Sequence, residues 1–387
     1  MDFELDEQYK MLAQSVREIA KREIEPVAEQ IDREDRFPKW IWERASELGW
    51  LGTTIPERYG GTGLDYLSQT ILAEEVGKIS PAVALSIGAH MLLCGDNLYR
   101  NGTEEQRCKY LPTLCSGEKI GALALTEPNH GSDAVGIETT ARKEGNYYLL
   151  NGTKTFITNG NIADILIVYA KTAPEKRAKG ITAFIVEKGF QGSFTATHIE
   201  KMGYRGSPTG ELSFQNYRVP QQNILGEENR GIRVMMSGLD IERATFCGIC
   251  LGMAERALEL SVKYAKERTQ FGQPIGNFQL IQGKLADMYT ATEATRLLTY
   301  KAAVLAGKSE RGGKGTEIHK VAAAALLFSA ESATKAALDA VQIHGGYGYT
   351  LDSPVNRLLR DAKMAEIGAG TSEIRRIVIA QALLQEA

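Results

Sequence analysis

Several familiar patterns are absent from this 387-residue chain, and each absence removes a class of function. Neither sign of charge dominates: 45 Lys and Arg face 48 Asp and Glu, a net charge of -3, so there is no electrostatic footprint for nucleic acid. No apolar run approaches the roughly 20 residues that a bilayer-spanning helix needs, which argues against membrane insertion. The N-terminal MDFELDEQYK is acidic without an apolar segment, unlike a secretory signal. No G-x-G-x-x-G follows a strand-like run and no G-x-x-x-x-G-K-[ST] occurs, so neither a Rossmann turn nor a P-loop is indicated. The five cysteines give no disulfide framework. Cys247 and Cys250 have C-x-x-C spacing, but no second pair accompanies them and ATFCGICLGM reads as packed helix, so core thiols in a reducing compartment are expected. His130, His198 and His344 form no metal-ligand spacing. A start at Met1 without a presequence suggests a bacterial cytoplasmic protein, or a mitochondrial matrix one if a transit peptide was removed.

What is present divides into three regions, an α+β multi-domain plan. Residues 1–118 read as an N-terminal helical domain: Tyr9, Leu12, Val16 and Ile19 recur at spacings of three and four. Trp40, Trp42 and Trp50 are expected to pack these helices, and His90 to be a satisfied core histidine. Residues 119–228 carry short β-branched and aromatic runs such as FITNG, ADILIVYAKT and GITAFIVEK, bounded by Gly, Asn-Gly and Pro turns. They predict a small β-barrel or sandwich. Residues 229–387 return to long Ala- and Leu-rich amphipathic helices, a C-terminal four-helix bundle, with KSERGGKG as a flexible connection.

The segments that could carry chemistry are individually modest. ALTEPNHGSDAVG (124–136) mixes hydroxyls with turn formers; TFITNG offers Phe156 and Thr158 to a planar ring. ERTQFG places Arg268 and Gln270 after a helix, and VQIHGGYGY clusters glycines between helices. The sharpest signal is Glu242, which falls on one helical face with Leu239, Phe246, Ile249 and Met253. A carboxylate in an apolar stripe is desolvated, which moves its pKa up from ~4.3 toward the range of a general base. Spacing alone favours the plainer reading, a salt-bridged structural glutamate, because structural ion pairs also perturb pKa. MAEIGAGTSEIRR (364–376) resembles a binding-site wall, but its small-residue turn holds no acid or base.

Taken in order, LTEPNHGSD, YLLNGTKTFITNG, KMGYRGSPTGEL, ERTQFG, FQLIQGKLADM, VQIHGGYGY and RDAKMAEIGAGTSEIRR resemble the acyl-CoA dehydrogenase family over nearly the whole chain. The resemblance implies a flavoprotein oxidoreductase of fatty acid or amino acid degradation: FAD, a homotetramer, and oxidation of an acyl-CoA thioester to its 2-enoyl form. Electrons would pass to an electron-transferring flavoprotein. It implies that Leu125, Thr126, Phe156 and Thr158 meet the flavin ring, and that Arg268, Gln270 and Phe271 hold its diphosphate side. Gln342, Gly345 and Gly346 would reach a neighbouring subunit's FAD, while Thr371 and Glu373 lie near the cofactor. Ser132, Asp240 and Arg243 would hold the CoA part, and Gly368 and Ala369 the acyl end.

Most of the family carries its catalytic glutamate at the turn, where this chain has Ala369. Members resembling isovaleryl-CoA dehydrogenase have GAGTSE there and the glutamate in a D-x-E-R context, matched here by GLDIERA and Glu242. The resemblance therefore implies Glu242 as base, the Ala369 N–H as an oxyanion donor, and hydride transfer to flavin N5. A branched short-chain acyl group such as isovaleryl is expected. A cyclic or aryl-bearing acyl-CoA (cyclohexanoyl or benzylsuccinyl type), a flavin-dependent oxidase, or a non-catalytic CoA/flavin-binding relative stands as the alternative.

Overall fold

Residues 7–115 are mainly helical, as their apolar spacing predicts: α1 (Glu7–Ile19), α2 (Glu25–Glu34), α3 (Lys39–Glu47), α4 (Tyr66–Ile79), α5 (Pro81–Gly88), α6 (Asn97–Asn101) and α7 (Glu104–Cys115). The structure, a computed structural model, describes residues 4–309 and 312–386. Helix starts carry their own chemistry. The Asp65 carboxylate accepts the Ser68 N–H at the head of α4, and Thr103 with Gln106 forms a capping box on α7. Trp42 and Trp50 are buried, Trp42 stacked on Phe37 at 4.9 Å. Trp40 departs from the expectation and is exposed, because residues two apart on a helix face opposite sides.

The middle region is one sheet of eight strands: β1 (Gly121–Ala124), β2 (Thr140–Glu144), β3 (Tyr147–Thr158), β4 (Ile165–Lys171), β5 (Ile181–Glu187), β6 (Ser193–His198), β7 (Thr209–Pro220) and β8 (Ile224–Leu225). Its order is β6-β7-β3-β2-β4-β5-β8, with β1 parallel beside β4. Leu166, Val168, Phe184 and Val186 turn to a core enclosed by the sheet, while Ile165, Ile167, Tyr169 and Ile185 turn to a core shared with the helices. That two-sided burial is why ILIVYA and ITAFIV read as continuous apolar runs rather than alternating ones. The expected barrel or sandwich is thus a single curled sheet, open between β6 and β8.

The rest is built on α8 (Gly231–Glu267), about 55 Å long at the α-helical rise. A short hairpin follows, β9 (Thr269–Gln270) with β10 (Gln273–Pro274), then α9 (Gln279–Lys308), α10 (Glu317–His344), α11 (Pro354–Ala365) and α12 (Ser372–Glu386). Helix α4 reaches α8 closely enough that a Cβ on Gly252 would lie 2.2 Å from the Glu74 carbonyl oxygen. By length and composition, Glu317–Tyr349 is a run apolar enough to cross a bilayer, which corrects the expectation that none exists. It is instead the central core helix of the bundle, with Ala322, Ala325, Leu326, Ala330, Ala333 and Ala337 fully buried. In KSERGGKG, Glu310 and Arg311 lie outside the described residues.

His90 is fully buried at the junction of helices and sheet. The Gly121 N–H donates to Nδ1 at 2.9 Å, so the proton sits on Nε2 and donates to the Leu114 carbonyl at 3.1 Å. Burial lowers its pKa to about 4, against a partial rise from the Leu114 bond. A histidine kept neutral by the fold stabilises it fully above its unfolded pKa of ~6.5, and that stability drains as pH falls toward 4. The loss should reach about 3 kcal/mol. Denaturant midpoints of wild type and His90→Gln between pH 7 and 4 should converge by that amount; parallel curves would contradict it.

Candidate active site

The expected ring-binding residues converge on one shelf. The Thr155 N–H donates to the Thr126 carbonyl at 2.9 Å, which sets Leu125 and Thr126 beside the end of β3. There the β3–β7 register slips between Lys154 and Ile157. The slip puts Phe156 in the left-handed region (φ 57°) and 66% exposed, so a large ring is aimed out of the sheet by a bulge. Thr158 is half-buried nearby. Beneath the shelf lies an ion pair that spacing did not reveal: Lys154 Nζ donates to Glu127 at 2.7 Å and to the Leu125 carbonyl at 3.0 Å, both side chains buried. Burial lowers Lys154 to about 8; for Glu127 burial pushes up, but Lys154 and the N–H groups of Glu138 and Thr139 outweigh it. Ser132 is exposed in the adjoining turn.

Glu242 sits about a third of the way along α8, half-buried among neighbours that are buried on nearly every side. The stripe of Leu239, Glu242, Phe246, Ile249 and Met253 is therefore part of an enclosed helix rather than one apolar face. Among the described residues the carboxylate has no hydrogen-bond or ion-pair partner. Desolvation raises its pKa to about 7, with Arg243 and Arg375 pulling the other way.

The small-residue turn is held by two guanidinium groups. Arg243 Nε donates to the Ala369 carbonyl at 3.0 Å, and Arg375 Nη2 donates to the carbonyls of Gly368 and of Ala365, the latter at 2.8 Å. Ala369 is left-handed, φ 54°, a conformation that costs a non-glycine residue roughly 1–2 kcal/mol. Its own N–H finds no acceptor among the described residues. Thr371 is half-buried at the start of α12, with its hydroxyl accepting the Ile374 N–H, and Glu373 is exposed. Asp240 has no free surface: its oxygens accept from Arg243, the Gly313 N–H and His319. A carboxylate so enclosed serves the site by orienting Arg243 rather than by touching a ligand.

The remaining predicted residues form a second group at the other end of α8. Phe271 and Gly272 take positive φ at the tip of the β9–β10 hairpin, which leaves Phe271 92% exposed. The Arg268 guanidinium lies 5.7 Å from the Tyr347 ring centroid, which joins ERTQFG to HGGYGY. Gln270, Gln342, Gly345 and Gly346 are exposed, and a Cβ on either glycine would meet nothing within 4 Å. Among the described residues no hydrogen bond or ring contact links this group to the shelf in one chain. Both groups fit a flavin dinucleotide: a bulge-presented ring with hydroxyls for the isoalloxazine, and an uncovered aromatic, a cation and open glycine backbone for the remainder. Sequence reasoning passed over Lys154, Glu127, His319 and Arg375, charged residues whose burial no spacing rule signals.

Three family models match the chain: acyl-CoA dehydrogenase N-terminal domain over residues 6–118, middle domain over 122–217 and C-terminal domain over 229–384. It is similar to the mitochondrial isovaleryl-CoA dehydrogenase of Pongo abelii, 49% identical over 98% of this chain and 89% of that one. It is also similar to a mitochondrial 2-methylacyl-CoA dehydrogenase of Solanum tuberosum, 48% identical over 98% of this chain and 92% of that one. Among solved structures it superposes on butyryl-CoA dehydrogenase from Megasphaera elsdenii with a TM-score of 0.94 and 41% identity, covering 99% of this chain and 100% of that one.

The buried pair under the shelf yields a test. Lys154→Met keeps the apolar stem but strands Glu127 without its counter-charge, which should destabilise the protein by about 3–5 kcal/mol and release bound flavin during purification. Urea unfolding and the protein-to-flavin absorbance ratio measure both; unchanged values would show the pair to be dispensable.

Proposed function

We infer the reaction from one premise: the chain belongs to the acyl-CoA dehydrogenase family, and is an FAD-dependent oxidoreductase of acyl-CoA thioesters. The finer reading is α,β-dehydrogenation of a branched short-chain substrate, isovaleryl-CoA first, with Glu242 as the base. One observation carries it: an unpaired, desolvated carboxylate on α8 whose neighbour Arg243 grips a turn that has no acid of its own.

The α-hydrogen of a thioester is only weakly acidic, so its removal needs a strengthened base and a polarised carbonyl. Desolvation supplies the first, since it places the Glu242 pKa near the working pH. The Ala369 N–H supplies the second by donating to the thioester oxygen as charge develops there, held in place by the carbonyl clamps on either side. Bound FAD supplies the two-electron acceptor for the β-hydrogen. Leu125, Thr126, Phe156 and Thr158 pack its ring, Arg268, Gln270 and Phe271 hold its diphosphate side, and Thr371 and Glu373 flank it. Gln342, Gly345 and Gly346 serve the cofactor of a neighbouring copy, which is why a homotetramer accompanies this reading. Ser132 and Arg243 bind the CoA portion, and an electron-transferring flavoprotein takes the electrons.

Gly368 and Ala369 present almost no side chain where a tyrosine and a glutamate stand in most of the family, which leaves room beside the reacting carbons for a branch. One methyl group changes discrimination by only ~1–3 kcal/mol. A 2-methylacyl group is therefore the second reading, supported by the similarity to a 2-methylacyl-CoA dehydrogenase.

Isovaleryl-CoA mixed anaerobically with the holoenzyme should bleach the flavin band near about 450 nm, a property of the cofactor. Glu242→Gln should slow bleaching on the order of 10²–10⁴-fold. A base with pKa about 7 must be ionised to act, so wild-type kcat/KM should rise about tenfold per pH unit below 7 and level off above it. A flat profile, or rapid bleaching in the variant, would remove Glu242 from the role.

A further inference from the structure

We propose that His319 is a positioning residue for this reaction, acting through Asp240 and Arg243 on the turn at Ala369. The inference rests on the reading that this turn receives the thioester carbonyl. His319 lies in the first turn of α10, nearly buried. Its Nδ1 is 2.8 Å from Asp240 Oδ1, and since a carboxylate only accepts, Nδ1 is the donor. The same Oδ1 accepts Arg243 Nη1 at 3.1 Å, while Oδ2 accepts the Gly313 N–H at 2.6 Å. One carboxylate from α8 thus gathers donors from α10, from the α9–α10 connection and from its own helix.

Arg243 then has no rotational freedom left. With Nη1 fixed on Asp240, its planar guanidinium aims Nε at the Ala369 carbonyl, 3.0 Å away. The peptide on the other side of Ala369 is held by Arg375 through the Gly368 carbonyl, and that peptide carries the Ala369 N–H. Both planes flanking a left-handed residue are therefore clamped, and the outer clamp leads back to His319.

The approach of the α9–α10 connection is itself specific. A Cβ on Gly312 would stand 2.9 Å from Asp240 Oδ2 and 3.0 Å from Ser237 Cα, and Gly313 has φ 110°. The glycines of KSERGGKG therefore let backbone reach the carboxylate. Remove the His319 donor, and Asp240 loses one of the bonds that orient it. Arg243 gains play, and the strained turn relaxes with it. A donor misplaced by about 1 Å can cost about 10²-fold in rate.

The test compares His319→Leu, which fills the space without a donor, with His319→Asn, whose amide nitrogen takes the position of Nδ1. Both are made in the full-length holoenzyme. Steady-state kinetics use the best wild-type acyl-CoA substrate, and hydrogen–deuterium exchange is followed at residues 366–372. His319→Leu should lower kcat at least tenfold with KM within about threefold, and speed exchange at the turn several-fold; His319→Asn should recover most of both. Wild-type kcat and turn exchange in His319→Leu would overturn the proposal, as would an Asn variant impaired as deeply as Leu. Should His319→Leu not fold, His319→Gln replaces it: its amide reaches the place of Nε2, so it should be impaired, and wild-type kcat there would overturn the proposal. Turn exchange judges His319 without reference to turnover, whereas full activity in Glu242→Gln would sink the base assignment and leave the exchange result standing.

Discussion

Two cations buried under one turn are the constraint on which the site depends. Arg375 is completely enclosed, and burial lowers its pKa from the usual arginine value. A guanidinium is tolerated there because backbone carbonyls of Ala365 and Gly368 accept from its Nη2 and because the nearby Glu242 carboxylate works against the like charge of Arg243. With Arg243 on the adjacent carbonyl, the turn is fixed in a conformation that alanine does not favour. A turn gripped this way offers small residues and a free N–H, so the proton acceptor has to come from another element.

On the proposed reading α8 meets that need with Glu242, and the helix is enclosed on nearly every side there. Close passage of α4 over Gly248 and Gly252 brings backbone to backbone. On the same face Glu74, Glu75 and Glu255 are met by Lys78, Arg296 and Arg17. Burial, followed by the Glu255 charge, pushes Glu74 of α4 up to about 8, so desolvation raises a carboxylate on the helix packed against α8 as it does Glu242 on α8 itself. What separates Glu242 from those acids is the lack of a counter-ion in contact. A structural glutamate here has a lysine or arginine on it; Glu242 has only Arg243 and Arg375 nearby, neither in hydrogen-bond or ion-pair contact with it among the described residues.

Much of this was legible in the sequence, and the reasons are physical. Helix and strand periods identified the three regions, because a half-buried element must repeat its apolar residues at its own pitch. The shelf was legible in TFITNG, although the bulge that exposes Phe156 was not, since a register slip depends on the partner strand. Glu242 stood out in the sequence for a partly mistaken reason: the stripe around it belongs to a helix buried on nearly every side. His319, Arg375 and the Lys154–Glu127 pair stayed invisible because a buried charge looks like a surface charge until its partners are placed. Trp40 and the glycines of KSERGGKG failed in the complementary way, since one expected core residue faces water and an expected loose connection is pressed against Asp240.

The central claim is that Glu242 takes the proton from the substrate α-carbon. The most direct measurement is exchange of that proton with D2O, followed by NMR on a CoA thioester bound to enzyme whose flavin has been reduced beforehand, so that no hydride can leave. The account predicts deuterium at the α-carbon with wild type and none above background with Glu242→Gln. Exchange at the wild-type rate in the variant would mean that another group is the base.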